Sequence, residues 1–307
     1  MMAVKRLLRC LLLPGLLFAP LMLNAGEHDG DSIQHIKPET CKQCHEEIYH
    51  QWSGSMHANS SALKDPLHGA FYKNVAGDPK QEGVTLKANK KYPVCLKCHA
   101  PVAAMEKKTK LDAKPAYANG ITCVTCHSFK KFKGVETKDG KPLYGIDAYE
   151  MDKKSLHGPS GVTYTTERVA EGSKWPTPVH HPQPLEGNKA ELFKSNDACM
   201  GCHEKRSNPH GTPLCRTGNE YRDAKNFVAC QACHMPIVTV PKLKNGKVVP
   251  GEYISLASHN MGGGHDGKMI TRGIALTMDV KQGTGVLNTD ITVRNRLPHA
   301  YPTGAPF

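Results

Sequence analysis

The chain is short of the residues that build an ordinary protein core. Only 39% of its 307 residues are hydrophobic and 6% are aromatic, while glycine and proline number 28 and 22. This composition argues against a large fold held together by side chains alone. It favours short helices connected by long loops.

Long apolar segments are also missing after the first residues. The apolar run at 11–23 is interrupted by Pro14 and Pro20 and follows three basic residues. It is too short and too broken for a comfortable membrane span of about 20 residues. The layout is typical of a cleaved secretory signal, residues 1–25, with the mature chain starting at Gly26. We therefore expect a periplasmic or extracellular protein without a stable membrane span.

One cysteine spacing dominates the sequence. Cys-x-x-Cys-His occurs five times and uses ten of the twelve cysteines. This is the attachment signature of c-type haem. The two thiols form thioethers with the vinyl groups of one porphyrin, and the adjacent imidazole binds the iron. The sequence therefore predicts five haem c groups.

The predicted ligands follow directly from the five motifs. The covalent attachments are Cys41, Cys44, Cys95, Cys98, Cys123, Cys126, Cys199, Cys202, Cys230 and Cys233. The proximal iron ligands are His45, His99, His127, His203 and His234. Motifs 2 and 3 lie close together in the chain, as do motifs 4 and 5, so we expect each of these pairs to place two haems side by side.

Two other uses of paired cysteines are less consistent with the pattern. Zinc sites built from Cys-x-x-Cys pairs do not require a histidine after every second cysteine. A spacer of two residues is typical of redox motifs rather than of disulfides that staple a fold. Cys10 lies within the predicted signal, and Cys215 lies outside the motifs.

The shortage of acidic residues gives a formal net charge of +12, of which the predicted signal supplies three. Basic chains often bind nucleic acid, but the lysines here are scattered and no nucleic-acid-binding motif accompanies them. Five haems would add about ten propionate charges and bring the holoprotein close to neutral. We therefore assign the lysines to solubility and propionate pairing, and expect no nucleic-acid partner.

The first three motifs and their flanks resemble the cytochrome c554 family of multihaem cytochromes. Motif 1 is followed by Trp-x-x-Ser-x-His at Trp52–His57, motif 2 continues into Ala100-Pro101, and motif 3 is preceded by Gly120-Ile121-Thr122. The resemblance implies a mostly α-helical multihaem fold with extensive loops and little protein-only core. It also implies that His57 is the distal iron ligand of a different haem.

Further distal ligands must come from outside the motifs, because five six-coordinate haems need five additional ligands. The stretch 128–198 carries no motif, and a long connection of this kind is often functional. A glycine run at 262–264 lets nearby histidines approach a porphyrin closely, and it lacks the lysine and helix start of a phosphate loop. Besides His57, the candidate distal ligands are His157, His180, His181, His259 and His265, with either His180 or His181 serving.

Residues 269–307 change to a strand pattern. Alternating apolar residues at 274–280 and 291–293 flank a turn that contains Gly283 and Gly285. The chain then resembles, at Pro298–Gly304, a motif of multihaem cytochromes that carry a β-sandwich after the haem domain. The predicted organisation is thus a signal at 1–25, a pentahaem domain at 26–268, and an incomplete β domain or one that pairs with a neighbouring molecule.

Two classes of function are compatible with this pattern. Electron transfer through mostly bis-histidine haems, between redox partner proteins or further copies of the chain, is the preferred interpretation. The alternative is an oxidoreductase that acts on a small nitrogen or sulfur compound at one open iron. Pentahaem nitrite reductases replace a motif histidine by lysine, whereas all five motifs here end in histidine, which argues against that enzyme class.

Overall fold

The computed structural model describes residues 33–159, 190–204, 207, 214–225 and 227–304. Short helices joined by loops make up most of this part of the chain, followed by antiparallel hairpins. The α-helices are α1 (Pro38–Lys42), α2 (Glu46–Ser53), α3 (Met56–Asn59), α4 (Pro66–Val75), α5 (Leu96–His99), α6 (Pro101–Met105), α7 (Pro115–Ala118), α8 (Cys123–His127), α9 (Ala190–Lys194), α10 (Asp197–His203), α11 (Thr217–Asp223), α12 (Cys230–His234) and α13 (Gly267–Gly273).

Local sequence explains why the helices start where they do. Proline occupies the first turn of α1, α4, α6 and α7, where its fixed φ suits the helix and its missing N–H costs nothing. The Asp65 carboxylate caps α4 by accepting from the Leu67 and His68 amides, and Thr122 forms a reciprocal capping box with Thr125.

The helical segment after motif 1 is interrupted. α2 ends at Ser53, and Ser55, whose backbone is extended, caps the separate helix α3. Trp52 is buried at 6% exposure, whereas Met56 is 40% exposed. Although they are four residues apart, Trp52 and Met56 therefore belong to different helices and do not share one helix face.

The largest buried cluster surrounds α5 and α6 and consists mainly of small residues. Its members are Ala62, Tyr72, Ala76, Leu96, Ala100, Val102, Ala103, Ala104, Leu111, Tyr117 and Ile146. By contrast, α12 contains no buried residue. The largest buried cluster of side chains therefore surrounds motif 2, whereas the helix of motif 5 contributes no buried side chain.

Three antiparallel hairpins complete the described fold. β1 (Phe129–Phe132) pairs with β2 (Tyr149–Met151), β3 (Ile237–Lys244) with β4 (Lys247–Ala257), and β5 (Ile274–Gly283) with β6 (Val286–Asn295). The last hairpin confirms the strands predicted from the alternating pattern. The other two hairpins lie within the region that was expected to be helical and looped.

The β5–β6 hairpin is strongly amphipathic. The cross-strand pairs Leu276–Val293 and Met278–Ile291 lie on one face, and Asp279 faces Asp290 on the other. The four apolar side chains are 60–61% exposed. No helix in the described part of the chain has the length and hydrophobicity to cross a membrane.

Candidate haem-binding sites

Helical geometry brings the three reactive groups of a motif together. Motifs 3 and 5 form the whole of α8 and α12. Motif 2 begins at Cys95, the N-cap of α5, and ends at the last residue of that helix. Motif 4 forms the C-terminal part of α10. Residues three and four apart lie on one helix face. Both thiols and the imidazole therefore project from the same side of the turn, as attachment to one porphyrin requires. Motif 1 differs, because it begins in α1 and His45 immediately precedes α2.

The motifs are paired in space, although not entirely in the order of the sequence. The Cys41 and Cys123 thiols of motifs 1 and 3 form a hydrogen bond, which lowers the pKa of Cys41. The Cys199 and Cys230 thiols of motifs 4 and 5 form another, which raises the pKa of Cys199. The expected neighbourhood of motifs 4 and 5 is therefore present, and motif 3 contacts motif 1.

Backbone contacts explain the position of motif 3. The Ile121 amide donates to the His57 carbonyl at 2.8 Å, and Gly120 packs so closely that an added Cβ would lie 2.3 Å from the same oxygen. These contacts anchor the start of motif 3 on α3, which follows motif 1. Sequence separation alone does not reveal this anchoring.

Motif 2 is also connected to motif 4. A 3-10 turn at Gly145–Ala148 contacts both α5 and α10. Lys97 within motif 2 forms an ion pair with Asp147 of this turn. Gly145 has φ +54°, and an added Cβ would lie 2.2 Å from the Lys97 carbonyl oxygen, so the turn packs directly on motif 2.

An aromatic pair connects motif 3 to motif 4. The rings of Phe129 and Tyr149 stack with centroids 3.8 Å apart and planes 3° apart. The Tyr149 hydroxyl lies 2.9 Å from the Asp197 and Ala198 carbonyl oxygens and accepts from the Gly201 amide at 3.0 Å. Since Phe129 follows motif 3 and Gly201 lies within motif 4, one tyrosine fixes their relative position.

The His57 ring lies opposite the His203 ring of motif 4. Their centroids are 6.1 Å apart and their planes are at 89°. An imidazole nitrogen binds a metal at about 2.0 Å, so two imidazoles on opposite sides of one metal have centroids roughly 6.4 Å apart. Burial, with a smaller contribution from the charge on His203, lowers the pKa of His57 to about 4. The ring is therefore neutral at physiological pH, the form that binds iron.

His259 lies between motifs 1 and 3. Its ring centroid is 6.5 Å from that of His127, with planes 19° apart. Burial lowers the pKa of His259, and the charge on His45 lowers it further. Its Nδ1 hydrogen-bonds to the Ala257 carbonyl at 2.8 Å, which leaves Nε2 available for a metal.

The rings of His68 and His99 are arranged differently. Their centroids are only 4.0 Å apart, and both Nδ1 atoms hydrogen-bond to the Ser60 carbonyl, at 2.9 and 3.0 Å. This side-by-side arrangement is too close to hold one iron between the rings. His68 Nε2 is buried and has no hydrogen-bond partner among the described residues.

The other candidate distal ligands occupy different environments. Nε2 of His157 lies 3.0 Å from Asp152 Oδ2, while the His157 carbonyl accepts from His127 Nδ1 at 2.6 Å. His265 is exposed in the loop before α13. His180 and His181 lie outside the described residues.

A histidine without an assigned role in the sequence lies opposite motif 5. The centroid of the His299 ring is 6.3 Å from that of His234, and the planes are 25° apart. The glycine run at 262–264 also contacts motif 5, because the Gly262 carbonyl accepts from His234 Nδ1 at 2.6 Å. In the sequence, His299 is distinguished only by its position within the resemblance motif at Pro298–Gly304.

The donor chemistry in the described residues fits c-type haem. Pairs of imidazoles with ring centroids 6.1 and 6.3 Å apart, beside helical Cys-x-x-Cys turns, are the groups that such a haem needs. His57, His203, His234 and His299 supply two such imidazole pairs.

Similarity to known proteins agrees with this chemistry. The family described as cytochrome c554 and c-prime matches residues 40–128, which contain the first three motifs. A solved structure of a penta-heme cytochrome c552 from Thermochromatium tepidum is 41% identical, with a TM-score of 0.74, over 90% of this chain and 70% of that one. No match was found among curated proteins. The chain belongs to the multihaem c-type cytochromes.

Proposed function

We propose that this protein is an electron carrier that passes electrons between redox partner proteins, or further copies of itself, through five mostly bis-histidine haems. The principal support is the opposed pair His57 and His203, with ring centroids 6.1 Å apart. An iron held by imidazoles on both sides changes oxidation state with little rearrangement and leaves no position for a substrate.

In this proposal the ten motif cysteines hold the haems, and the five motif histidines are the proximal ligands. His57 is the distal ligand of the haem at motif 4. His259 is a distal ligand within the pair formed by motifs 1 and 3. When bound, haem supplies a one-electron couple, and the chain orients its ligands through carbonyl acceptors such as those of Ser60 and Gly262.

A spectroscopic experiment tests this function. We expect the oxidised full-length protein to carry five covalent haems, to show low-spin ferric signals, and to exchange electrons with redox partners. His57→Met should keep the five haems and raise the potential of one, because His/Met iron has a higher potential than bis-histidine iron. The control is His50→Gln, an exposed position on α2. Unchanged potentials in the His57→Met protein would remove His57 from the ligand set.

Motif 2 gives a specific reason to retain an enzyme as the second candidate. The neighbouring imidazole, His68, lies beside His99 rather than opposite it. An iron bound by His99 alone would have an open position for a small nitrogen or sulfur compound. A high-spin ferric signal that disappears on cyanide binding would favour this oxidoreductase, whereas low-spin signals from all five haems would favour the carrier.

Export and domain organisation form part of the same proposal. We assign residues 1–25 to a cleaved signal, 26–268 to the pentahaem domain and 269–307 to a β segment, with the mature protein in the periplasm or outside the cell. The mass of the purified haem-loaded chain tests the cleavage. It should correspond to a polypeptide that begins near Gly26 and carries five haems.

A further inference from the structure

The ring of His299 occupies the same kind of position at motif 5 as His57 does at motif 4. Its centroid lies 6.3 Å from that of His234, compared with 6.1 Å for the His57–His203 pair. Both values are close to the separation of roughly 6.4 Å that two imidazoles on one metal require. The geometry therefore suits an iron between His234 and His299.

Hydrogen bonds orient both rings for metal binding. His234 Nδ1 pairs with the Gly262 carbonyl at 2.6 Å, and His299 Nδ1 pairs with the Ala300 carbonyl at 2.9 Å. Carbonyl oxygens only accept, so each Nδ1 carries the proton. Each Nε2 is then the nitrogen that can bind a metal, and a carbonyl partner on the other nitrogen is the usual support of a metal-bound histidine.

Residues 296–304, which we call the terminal strap, hold His299 in place. The side-chain amide of Asn295, at the end of β6, donates to the His299 carbonyl at 2.7 Å. The Ala300 amide donates to Glu220 Oε2 at 3.2 Å, and the Thr303 hydroxyl hydrogen-bonds to both Glu220 and Thr217. The strap is therefore fastened to α11 on the C-terminal side of His299.

α11 is itself fixed to motif 4. Arg222 donates to both carboxylate oxygens of Glu204 at 2.8 Å, and the Glu204 side chain is only 3% exposed. Glu204 directly follows His203. The strap thus connects the end of motif 4 to a histidine that faces motif 5, which gives His299 a defined position despite the exposed hairpin before it.

We propose that His299 is the second axial ligand of the haem attached at Cys230 and Cys233, and that the terminal strap positions it. This inference rests on the proposed function insofar as a haem must be attached at motif 5. It assigns the fifth haem a bis-histidine environment and identifies the terminal strap, which follows the β5–β6 hairpin, as the element that supplies one of its ligands.

The test uses full-length protein matured with haem and carrying His299→Ala, His299→Met or the control His50→Ala. His50 is exposed on α2. For His299→Ala we expect five covalent haems by mass, conversion of one of them from low to high spin, and binding of carbon monoxide by that haem after reduction. Added imidazole should restore the low-spin signal. His299→Met should remain low-spin and raise the potential of one haem, and His50→Ala should match the parent.

The outcomes separate this inference from the proposed function. His299→Ala protein with five haems, the parental spin state and no carbon monoxide binding would overturn the assignment of His299 while leaving electron transfer intact. Parent protein with fewer than five haems would count against the proposed function itself. If His299→Ala does not accumulate, His299→Met decides the question, since parental potentials at every haem would also overturn the assignment.

Discussion

Trp52 donates from its indole Nε1 to the carbonyl oxygen of Ile121 at 2.8 Å. This bond joins the helix that follows motif 1 to the residues that precede motif 3. The indole is buried at 6% exposure. Without it, the Ile121 carbonyl would have no hydrogen-bond donor in a region that water reaches poorly. The relative position of the first and third haem sites therefore depends on this tryptophan.

Trp52→Phe should lower the free energy of unfolding by about 1 to 3 kcal/mol, because it leaves a buried acceptor without its donor. Denaturant unfolding of the haem-loaded protein measures the change. Tyr49→Phe is the matched control on the same helix, since it removes only an exposed hydrogen bond to Glu39. Equal stability of the two variants would show that the indole bond contributes nothing specific.

Gly201→Ala should disturb the contact between motif 4 and Tyr149. A Cβ at this position would lie 2.2 Å from Tyr149 Cε2, and a buried ring cannot move without strain. We expect a loss of about 1 to 3 kcal/mol in unfolding free energy, as for other overpacked sites.

The control for this change is Gly264→Ala, where an added Cβ would meet no heavy atom within 4 Å. Denaturant midpoints compare the two proteins at equal haem content. A Gly201→Ala protein as stable as the control would mean that Tyr149 moves aside freely, contrary to its stacking on Phe129.

His157→Leu and Asp152→Asn should both reduce stability and leave every haem low-spin. The His157 side chain is fully buried and its Nε2 faces Asp152, so either change disrupts a buried polar contact worth about 1 to 3 kcal/mol. Unfolding curves and paramagnetic-resonance spectra provide the two measurements. A new high-spin signal in His157→Leu protein, absent from Asp152→Asn protein, would instead identify His157 as an iron ligand.

Replacing Met278 and Ile291 together by serine should raise the solubility of the protein. Both side chains are 60% exposed and face each other across the hairpin, so the change removes apolar surface of the kind that promotes association. The free energy of unfolding should change by less than about 0.5 kcal/mol, because neither residue is buried. Precipitation curves measure the solubility.

The control for the hairpin is Thr277→Ser with Thr292→Ser, a cross-strand pair on the opposite, polar face. We expect this variant to precipitate at the same concentration as the parent. Lower stability of the serine variant at 278 and 291 would show that the apolar face is covered by another part of the protein.

The Cys-x-x-Cys-His motifs stand out in the sequence because haem attachment requires a fixed local spacing. A helical turn places both thiols and the imidazole on one side whatever the rest of the fold does. The strands at 274–295 were predictable for a similar reason, since alternation and a glycine turn are local signals. By contrast, the opposition of His57 and His203 joins residues 146 positions apart in the sequence, and only the family resemblance indicated that His57 serves a different haem.

The features that the sequence did not predict depend on tertiary contacts or on ambiguous composition. β3 and β4 contain Pro241 and Pro250, and proline within a run argues against a strand. β1 reads Phe-Lys-Lys-Phe, too short and too charged to stand out. His299 required the fold of the terminal strap, because the hydrogen bonds that Ala300 and Thr303 of the strap form with Glu220 span about 80 residues.

The shared acceptor at Ser60 has a mechanical consequence. A single peptide oxygen orients both His68 and His99, and the Ser60 hydroxyl also bonds to the His57 carbonyl. Any displacement of this loop must therefore turn the imidazole at motif 2 and shift the backbone that carries the imidazole facing motif 4. If His57 and His99 bind iron as proposed, a shift of Ser60 would therefore change the ligand geometry of two haems at the same time.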